Sequence, residues 1–321
     1  MKPYVFITRR MPAAIVEMIE RECEVSMWEE EETPVPDEIL AREIKRADGI
    51  FCNVSDTITK EMIDGAERLT IIATMAVGYN NIDIEAAAAR GIQIAHTPGV
   101  LTETTADLTF ALLMAAARRL PEGMEAIKND EWGAWAPFFL TGQDIHHSRL
   151  GIIGMGRIGE AVARRGKGFS MEVVYHNRSR KHEAEEAIGV RYQELDELLE
   201  TSDFVCLTAP YTNETHHLMN AEAFKKMKDS AIFVNTSRGS TVDEKALFTA
   251  LKNGEIRGAG LDVFEQEPIS SSHPLLSLPN VTLLPHIGSA SEKTRWRMAE
   301  MTANHVLQGI RGEALDHPVK E

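Results

Sequence analysis

A chain of 321 residues exceeds the usual length of one domain, so two domains are expected. With 34 Lys and Arg against 49 Asp and Glu, a formal net charge of −15, the surface repels nucleic acid and anionic membranes, leaving small molecules and protein as partners. The longest apolar runs, such as 110–117, fall short of the roughly 20 residues of a membrane span.

The opening MKPYVFITRR runs into a strand-like segment without the apolar core or small-residue cleavage site of a signal peptide, so a cytoplasmic protein is expected. Residues 4–8, 49–52, 71–74 and 92–95 read as buried strands. Residues 12–21, 37–46, 60–66 and 84–90 read as the helices between them. That rhythm implies βαβ units and a parallel sheet. Residues 29–36, four glutamates followed by TPVP, read as a solvated loop. The pattern breaks at HTPG (96–99), and a long apolar helix follows over 102–120. Residues 129–148 are polar and aromatic, with Trp132 and Trp135. Strand–helix alternation resumes at Leu150 and runs to 284, and an amphipathic helix over 290–310 closes the chain. Three widely spaced cysteines (Cys23, Cys52, Cys206), odd in number and without a CxxC, read as free buried thiols.

The strand 150–153 leads directly into Gly154-Met155-Gly156-Arg157-Ile158-Gly159 and then a helix, the context in which GxGxxG reads as a dinucleotide turn. Gly154 allows the tight turn, Gly156 lets a pyrophosphate approach the backbone, and Gly159 lets helix and strand pack closely. The helix N-terminus offers unpaired N–H groups to the phosphates. The next strand, 172–176, ends without the Asp or Glu that accepts the ribose hydroxyls of NAD. It ends instead in Asn177-Arg178-Ser179-Arg180-Lys181. Arg178 and Arg180 are suited to clasp a 2′-phosphate, with Asn177 and Ser179 as neutral donors, so NADPH is expected over NADH.

Three later segments place chemistry where strands end: FVNTSRG (233–239), GLDVFEQEP (260–268) and PHIGSA (285–290). Reduction of an oxoacid carbonyl needs a cation to hold and polarise it, a proton donor, and control of that donor. Arg238 fits the first demand and His286 the second. Glu267 fits the third, because a carboxylate beside imidazole favours its charged form. Taken singly, each residue has a plainer reading: a strand cap, a surface acid beside a proline, a buried histidine. The adjacent pairs His146-His147 and His216-His217 lack the i, i+4 spacing of metal ligands, and no metal site is expected.

Read together with TMAVGYNNID (74–83), TPGVLTETTADLTFALLMAAARR (97–119) and DIHHSRLGIIGMGRIGEA (144–161), these segments resemble the D-isomer-specific 2-hydroxyacid dehydrogenase family, nearest its glyoxylate/hydroxypyruvate and 2-ketogluconate (2-ketoaldonate) reductases. The resemblance implies an α/β protein of two Rossmann/flavodoxin-like parallel-sheet domains. A substrate domain would comprise residues 1–99 with 290–321, and an NAD(P)-binding domain, 100–289, would be inserted into it, with hinges near 98–101 and 287–290. It also implies that Arg238, Glu267 and His286 are catalytic, and that Val77 and Gly78 present backbone N–H groups to the substrate carboxylate. Thr105 and Asp262 would lie by the nicotinamide. Met155–Ile158, Asn177–Ser179, Pro210, Thr236, Ser237 and Gly288 would contact the cofactor. The long helix from Thr102 and the Trp132/Trp135 segment resemble dimer contacts, implying a homodimer in which a partner tryptophan shapes the neighbouring pocket. Two alternatives stand beside the reductase: a dinucleotide-sensing, corepressor-like binding protein and an NADH-linked D-lactate-type dehydrogenase.

Overall fold

The computed structural model describes residues 2–319. Residues 1, 320 and 321, which the sequence assigns to the ends of the substrate domain, lie outside the described residues. The chain forms two compact units. One comprises the described residues up to Leu101 together with those from Ala290 onward, and the other is Thr102–Ser289.

In chain order the first unit contains β1 (Tyr4–Ile7), α1 (Ala13–Glu20), β2 (Glu24–Met27), α2 (Asp37–Arg46), β3 (Gly49–Cys52), α3 (Lys60–Gly65), β4 (Ile71–Thr74), α4 (Ile84–Ala89) and β5 (Gln93–Ala95). The strands form a parallel sheet in the order β2-β1-β3-β4-β5. The runs YVFI, GIFC and IIAT are buried at every position, as strands covered on both faces must be. Thr59 and Asp83 start α3 and α4 by accepting from backbone N–H groups of the first turn.

The second unit contains α5 (Thr102–Ala117), α6 (Leu120–Lys128), β6 (Arg149–Ile153), α7 (Arg157–Gly168), β7 (Glu172–His176), α8 (His182–Ile188), β8 (Arg191–Tyr192), α9 (Leu195–Thr201), β9 (Phe204–Leu207), α10 (Ala221–Lys226), β10 (Ile232–Asn235), α11 (Glu244–Asn253), β11 (Gly258–Leu261) and β12 (Val281–Leu283). Its parallel sheet has the order β12-β11-β10-β9-β6-β7-β8. The first strand, β6, therefore lies between β7 and β9, at the point where strand order reverses and open sheets bind ligands. The register carries one level across the sheet: His176 pairs with Ile153, Ile153 with Leu207, Leu207 with Asn235, Asn235 with Leu261, and Leu261 with Leu283. Whatever follows these residues emerges at one edge of the sheet.

The chain then returns to the first unit as α12 (Glu292–Arg311), which Ser291 starts by accepting from Thr294 N–H and which packs on β3 and β4.

Two features differ from the sequence reading. The helix expected over 102–120 stops at Ala117, because Arg119 takes a left-handed backbone (φ 54) and a separate helix, α6, begins at Leu120. The edge strand β2 was not foreseen, since its residues EVSM are only partly buried and lack an apolar run. The three cysteines are buried and unpaired, and burial pushes the Cys206 thiol up to about 12. Among the described residues no helix is long and apolar enough to cross a membrane.

Candidate active site

The glycine turn sits at the reversal point of the larger sheet. Gly154 has φ +101, and a Cβ there would run into the backbone of Ala209. Its N–H donates to His176 O (2.9 Å) and its carbonyl accepts from Thr208 Oγ1 (2.7 Å), tying the turn to both flanking strands. At Gly156 the opposite holds, for an added Cβ would meet nothing within 4 Å. That open cradle stands at the N-terminus of the twelve-residue α7, where backbone N–H groups and the helix dipole favour an anion. The turn therefore fits a dinucleotide's pyrophosphate. Met155 is buried in the core, so it can offer a ligand only its backbone, whereas Arg157 is exposed and Ile158 half-buried.

Beyond β7 the two arginines separate. Arg180 is committed to Glu185 by bonds of 3.0 and 2.6 Å. Glu185 also accepts from Tyr175 Oη (2.7 Å). The Arg180 bond, then Tyr175, hold Glu185 down to about 2. Arg178 is the open one: its side chain is 84% exposed, with Glu214 Oε2 at 3.4 Å. Asn177 Nδ2 donates to Ser179 O (3.0 Å), which shapes the bend. The clasp of two equivalent arginines read from the sequence thus becomes one exposed guanidinium and one that anchors α8. Pro210, after β9, is exposed, and its carbonyl accepts from Thr215 Oγ1 (2.8 Å).

The end of β10 is built by Asn235. Its Oδ1 accepts from Ser237 N–H and Oγ (both 2.9 Å), and its Nδ2 donates to Arg238 O (3.0 Å). Thr109 Oγ1 donates to Thr105 O (2.7 Å), so the 2.7 Å contact between Thr236 and Thr109 hydroxyls is donated by Thr236. The backbone of Gly239 lies so close to the Phe264 carbonyl that any side chain would collide with it. Arg238 and the segment leaving β11 are thereby held side by side.

That segment carries Glu267. Its Oε1 accepts from Phe264 N–H (3.0 Å), and its Oε2 lies 2.7 Å from His286 Nδ1. Burial alone would raise Glu267, but the His286 bond, the Phe264 N–H and the nearby Arg238 outweigh it and leave its pKa below the usual range. Burial pulls the Arg238 guanidinium below its ordinary value, with Glu267 acting the other way. It remains a cation at neutral pH. His286 adopts a left-handed backbone (φ 54), uncommon outside glycine, which turns the chain sharply after β12. The next two residues are bracketed by Asp262, whose Oδ1 accepts from Ile287 N–H (2.8 Å) and Oδ2 from Gly288 N–H (2.7 Å). Asp262 is buried, which raises its carboxyl pKa. With both oxygens engaged, it serves as the clamp of the histidine turn. A Cβ on Gly288 would touch Thr105 and Asp262, so these three expected cofactor residues are neighbours.

Arg238, Glu267 and His286 thus share one sheet edge with the glycine turn. Val77 and Gly78 belong to the other unit, in the bend after β4, where Val77 O lies 2.8 Å from His96 Nδ1. The sequence reading missed Thr208 and Asn235, although an Asn at a strand end two residues before a serine is a turn signal. Among the described residues no cluster of three or more His, Cys, Asp or Glu is placed to hold a metal ion.

A dinucleotide turn and a histidine–carboxylate–arginine set on one edge of the same sheet define an NAD(P)-dependent oxidoreductase. The model of the D-isomer specific 2-hydroxyacid dehydrogenase, NAD binding domain, matches residues 110–288. A glyoxylate reductase of Korarchaeum cryptofilum is 50% identical over 98% of this chain and 94% of its own length. A crystal structure of a protein from Thermus thermophilus superposes with a TM-score of 0.92 at 44% identity, covering 99% of this chain and 100% of that one. An NADPH-dependent glyoxylate/hydroxypyruvate reductase of Sinorhizobium meliloti, solved with NADP and malonate, gives 0.88 at 33% identity, covering 99% and 97%. The chain belongs to the D-isomer-specific 2-hydroxyacid dehydrogenase family.

Proposed function

We propose that the protein reduces small 2-oxoacids to D-2-hydroxyacids with NADPH, taking glyoxylate and hydroxypyruvate and extending to 2-ketogluconate. The observation that carries this reading is the His286 Nδ1–Glu267 Oε2 contact of 2.7 Å on the sheet edge that also bears Arg238. When bound, the reduced nicotinamide supplies the hydride. Arg238 holds the carboxylate and polarises the keto oxygen through its planar fork of donors. Glu267 accepts at Nδ1 and so directs Nε2 of His286 to deliver the proton. The Val77 and Gly78 amides are assigned to the substrate carboxylate. On the cofactor side, the assignments are Gly154–Gly159 to the pyrophosphate, Asn177–Ser179 to the adenosine phosphate with Arg180 supporting the bend through Glu185, Pro210 to the adenine side, and Thr105, Thr236, Ser237, Asp262 and Gly288 to the nicotinamide half. The residues from Thr102 to Ser289 are read as the dinucleotide domain and the remainder as the substrate domain.

Absorbance at 340 nm with glyoxylate, hydroxypyruvate, pyruvate and 2-ketogluconate, each with NADPH and NADH, tests the reading. Cofactor binding without turnover of any of these acids would favour a sensing protein, and a preference for NADH with pyruvate would favour a D-lactate-type enzyme. The NADPH assignment rests on Arg178 above Arg180. Replacing both with glutamine is expected to shift kcat/KM from NADPH toward NADH by about 10- to 100-fold, the value of one charge-assisted bond or two, with R178Q alone giving most of it. An R180Q change as large as R178Q would contradict this division.

The protein is further proposed to be a cytoplasmic homodimer. Leu120, Met124 and Ile127 on α6, with Trp132, Trp135, Phe138 and Phe139 beyond it, form an exposed apolar series in which Trp135 is 82% and Phe138 86% exposed. Such a concentration marks an interaction surface. W135D/F138D should sediment as a monomer where the parent is a dimer, and equal masses for the two would refute the assignment.

A further inference from the structure

We propose that Glu244 is a positioning residue for the reaction, fixing segment 263–267 and through it holding Glu267 against His286; this rests on the reductase reading above. Glu244 is the first residue of α11, where an acid ordinarily serves its own helix end. Here Asp243 fills that role, its Oδ1 accepting from Lys245 and Ala246 N–H (both 3.0 Å). The Glu244 carboxylate is turned elsewhere. Its side chain is only 15% exposed, Oε1 accepts from Glu265 N–H (2.8 Å), and Oε2 lies 3.3 Å from His273 Nε2.

The start of the segment is fixed by packing, with Val263 and Phe264 buried and Phe264 against the Gly239 backbone; beyond Phe264 the ties are fewer. Phe264 N–H goes to Glu267 itself, at 3.0 Å. The Glu265 side chain meets His217 Nε2, and His217 N–H donates to Ser240 O (3.0 Å). Glu244 therefore holds the amide next to the one that orients Glu267. With Phe264 held by its packing, release of Glu265 N–H loosens the residues that follow it, and with them the carboxylate that faces His286, Arg238 and Asp262. A displacement of about 1 Å at a reacting group costs on the order of 10²-fold in rate.

The test uses the full chain with glyoxylate and NADPH, measuring steady-state constants, the pH profile and Tm. E244A is expected to lower kcat about 10- to 100-fold while KM for NADPH stays within about twofold. The acid-side limb of kcat/KM should move to higher pH, because the contact with His286 that holds Glu267 low is loosened while its burial persists. E244Q keeps a carbonyl that accepts from Glu265 N–H and should restore most of kcat and the position of the limb. If E244A does not fold, E244D, which keeps the charge but withdraws it by one methylene, carries the test with the same signs. A lowered Tm with unchanged kcat and an unmoved limb would overturn the proposal. A wild-type chain that reduces none of the four 2-oxoacids overturns the reductase reading and this one with it, whereas an active wild type with an unaffected E244A sinks this one alone.

Discussion

His286→Ala is expected to lower kcat for 2-oxoacid reduction by about 10²- to 10⁴-fold, or about 3–5 kcal/mol of barrier, the usual worth of a positioned general acid. Affinity for NADPH should stay within about twofold, and the structure gives the reason. The histidine turn is held through the backbone, with Ile287 and Gly288 N–H bonded to Asp262, so the imidazole can be removed without releasing the bracket. Alanine is strained at φ 54, as histidine is, and the substitution adds little new strain. E267Q tests the same pair from the other side: it keeps an acceptor for Nδ1 but removes the charge, and kcat should fall by less than in H286A. Protonating Glu267 also breaks the pair. Because its pKa lies below the usual glutamate range, the acid-side limb of the wild-type profile should lie below that range as well. Stopped-flow turnover beside cofactor fluorescence titration separates the two quantities. An H286A enzyme retaining more than about a tenth of wild-type kcat would refute the acid role, since general acid catalysis is seldom worth so little.

The larger sheet was legible because its central strands β6, β9 and β10 are buried almost throughout and therefore read as plain apolar runs, each followed by turn residues. The parallel register then converts sequence order into spatial order. Arg238, Glu267 and His286 follow consecutive strands, so their meeting at one edge follows from topology alone. What stayed hidden depends on side-chain direction or on partial burial. The edge strand β2 has no apolar signature to read, since it packs on one side only. The end of α5 is set by the left-handed Arg119, a conformation that no residue type announces. Arg178 and Arg180 look equivalent in NRSRK, and only the rotamer that reaches Glu185, anchored in turn by Tyr175, separates a structural arginine from an open one. Glu244 looks like an ordinary first-turn acid until Asp243 is seen to do the capping.

Arg238→Ala is expected to reduce kcat/KM for glyoxylate by about 10²- to 10³-fold, as when one preorganised donor to developing negative charge is lost. Unlike H286A, it should raise KM as well as lower kcat, because the guanidinium is assigned both the ground-state carboxylate and the keto oxygen. The backbone at this position is secured independently of the side chain: Asn235 Nδ2 and Thr241 Oγ1 both donate to the Arg238 carbonyl, at 3.0 and 2.5 Å. The close packing of Gly239 on Phe264 is likewise untouched, so Glu267 and His286 should keep their contact. R238K supplies the decisive comparison. Lysine restores a cation without the planar fork, so a purely electrostatic role predicts nearly full recovery, whereas bridging of carboxylate and carbonyl predicts that most of the loss in kcat remains. If R238A kept wild-type kcat and lost only affinity, polarisation of the carbonyl would have to be assigned to another group.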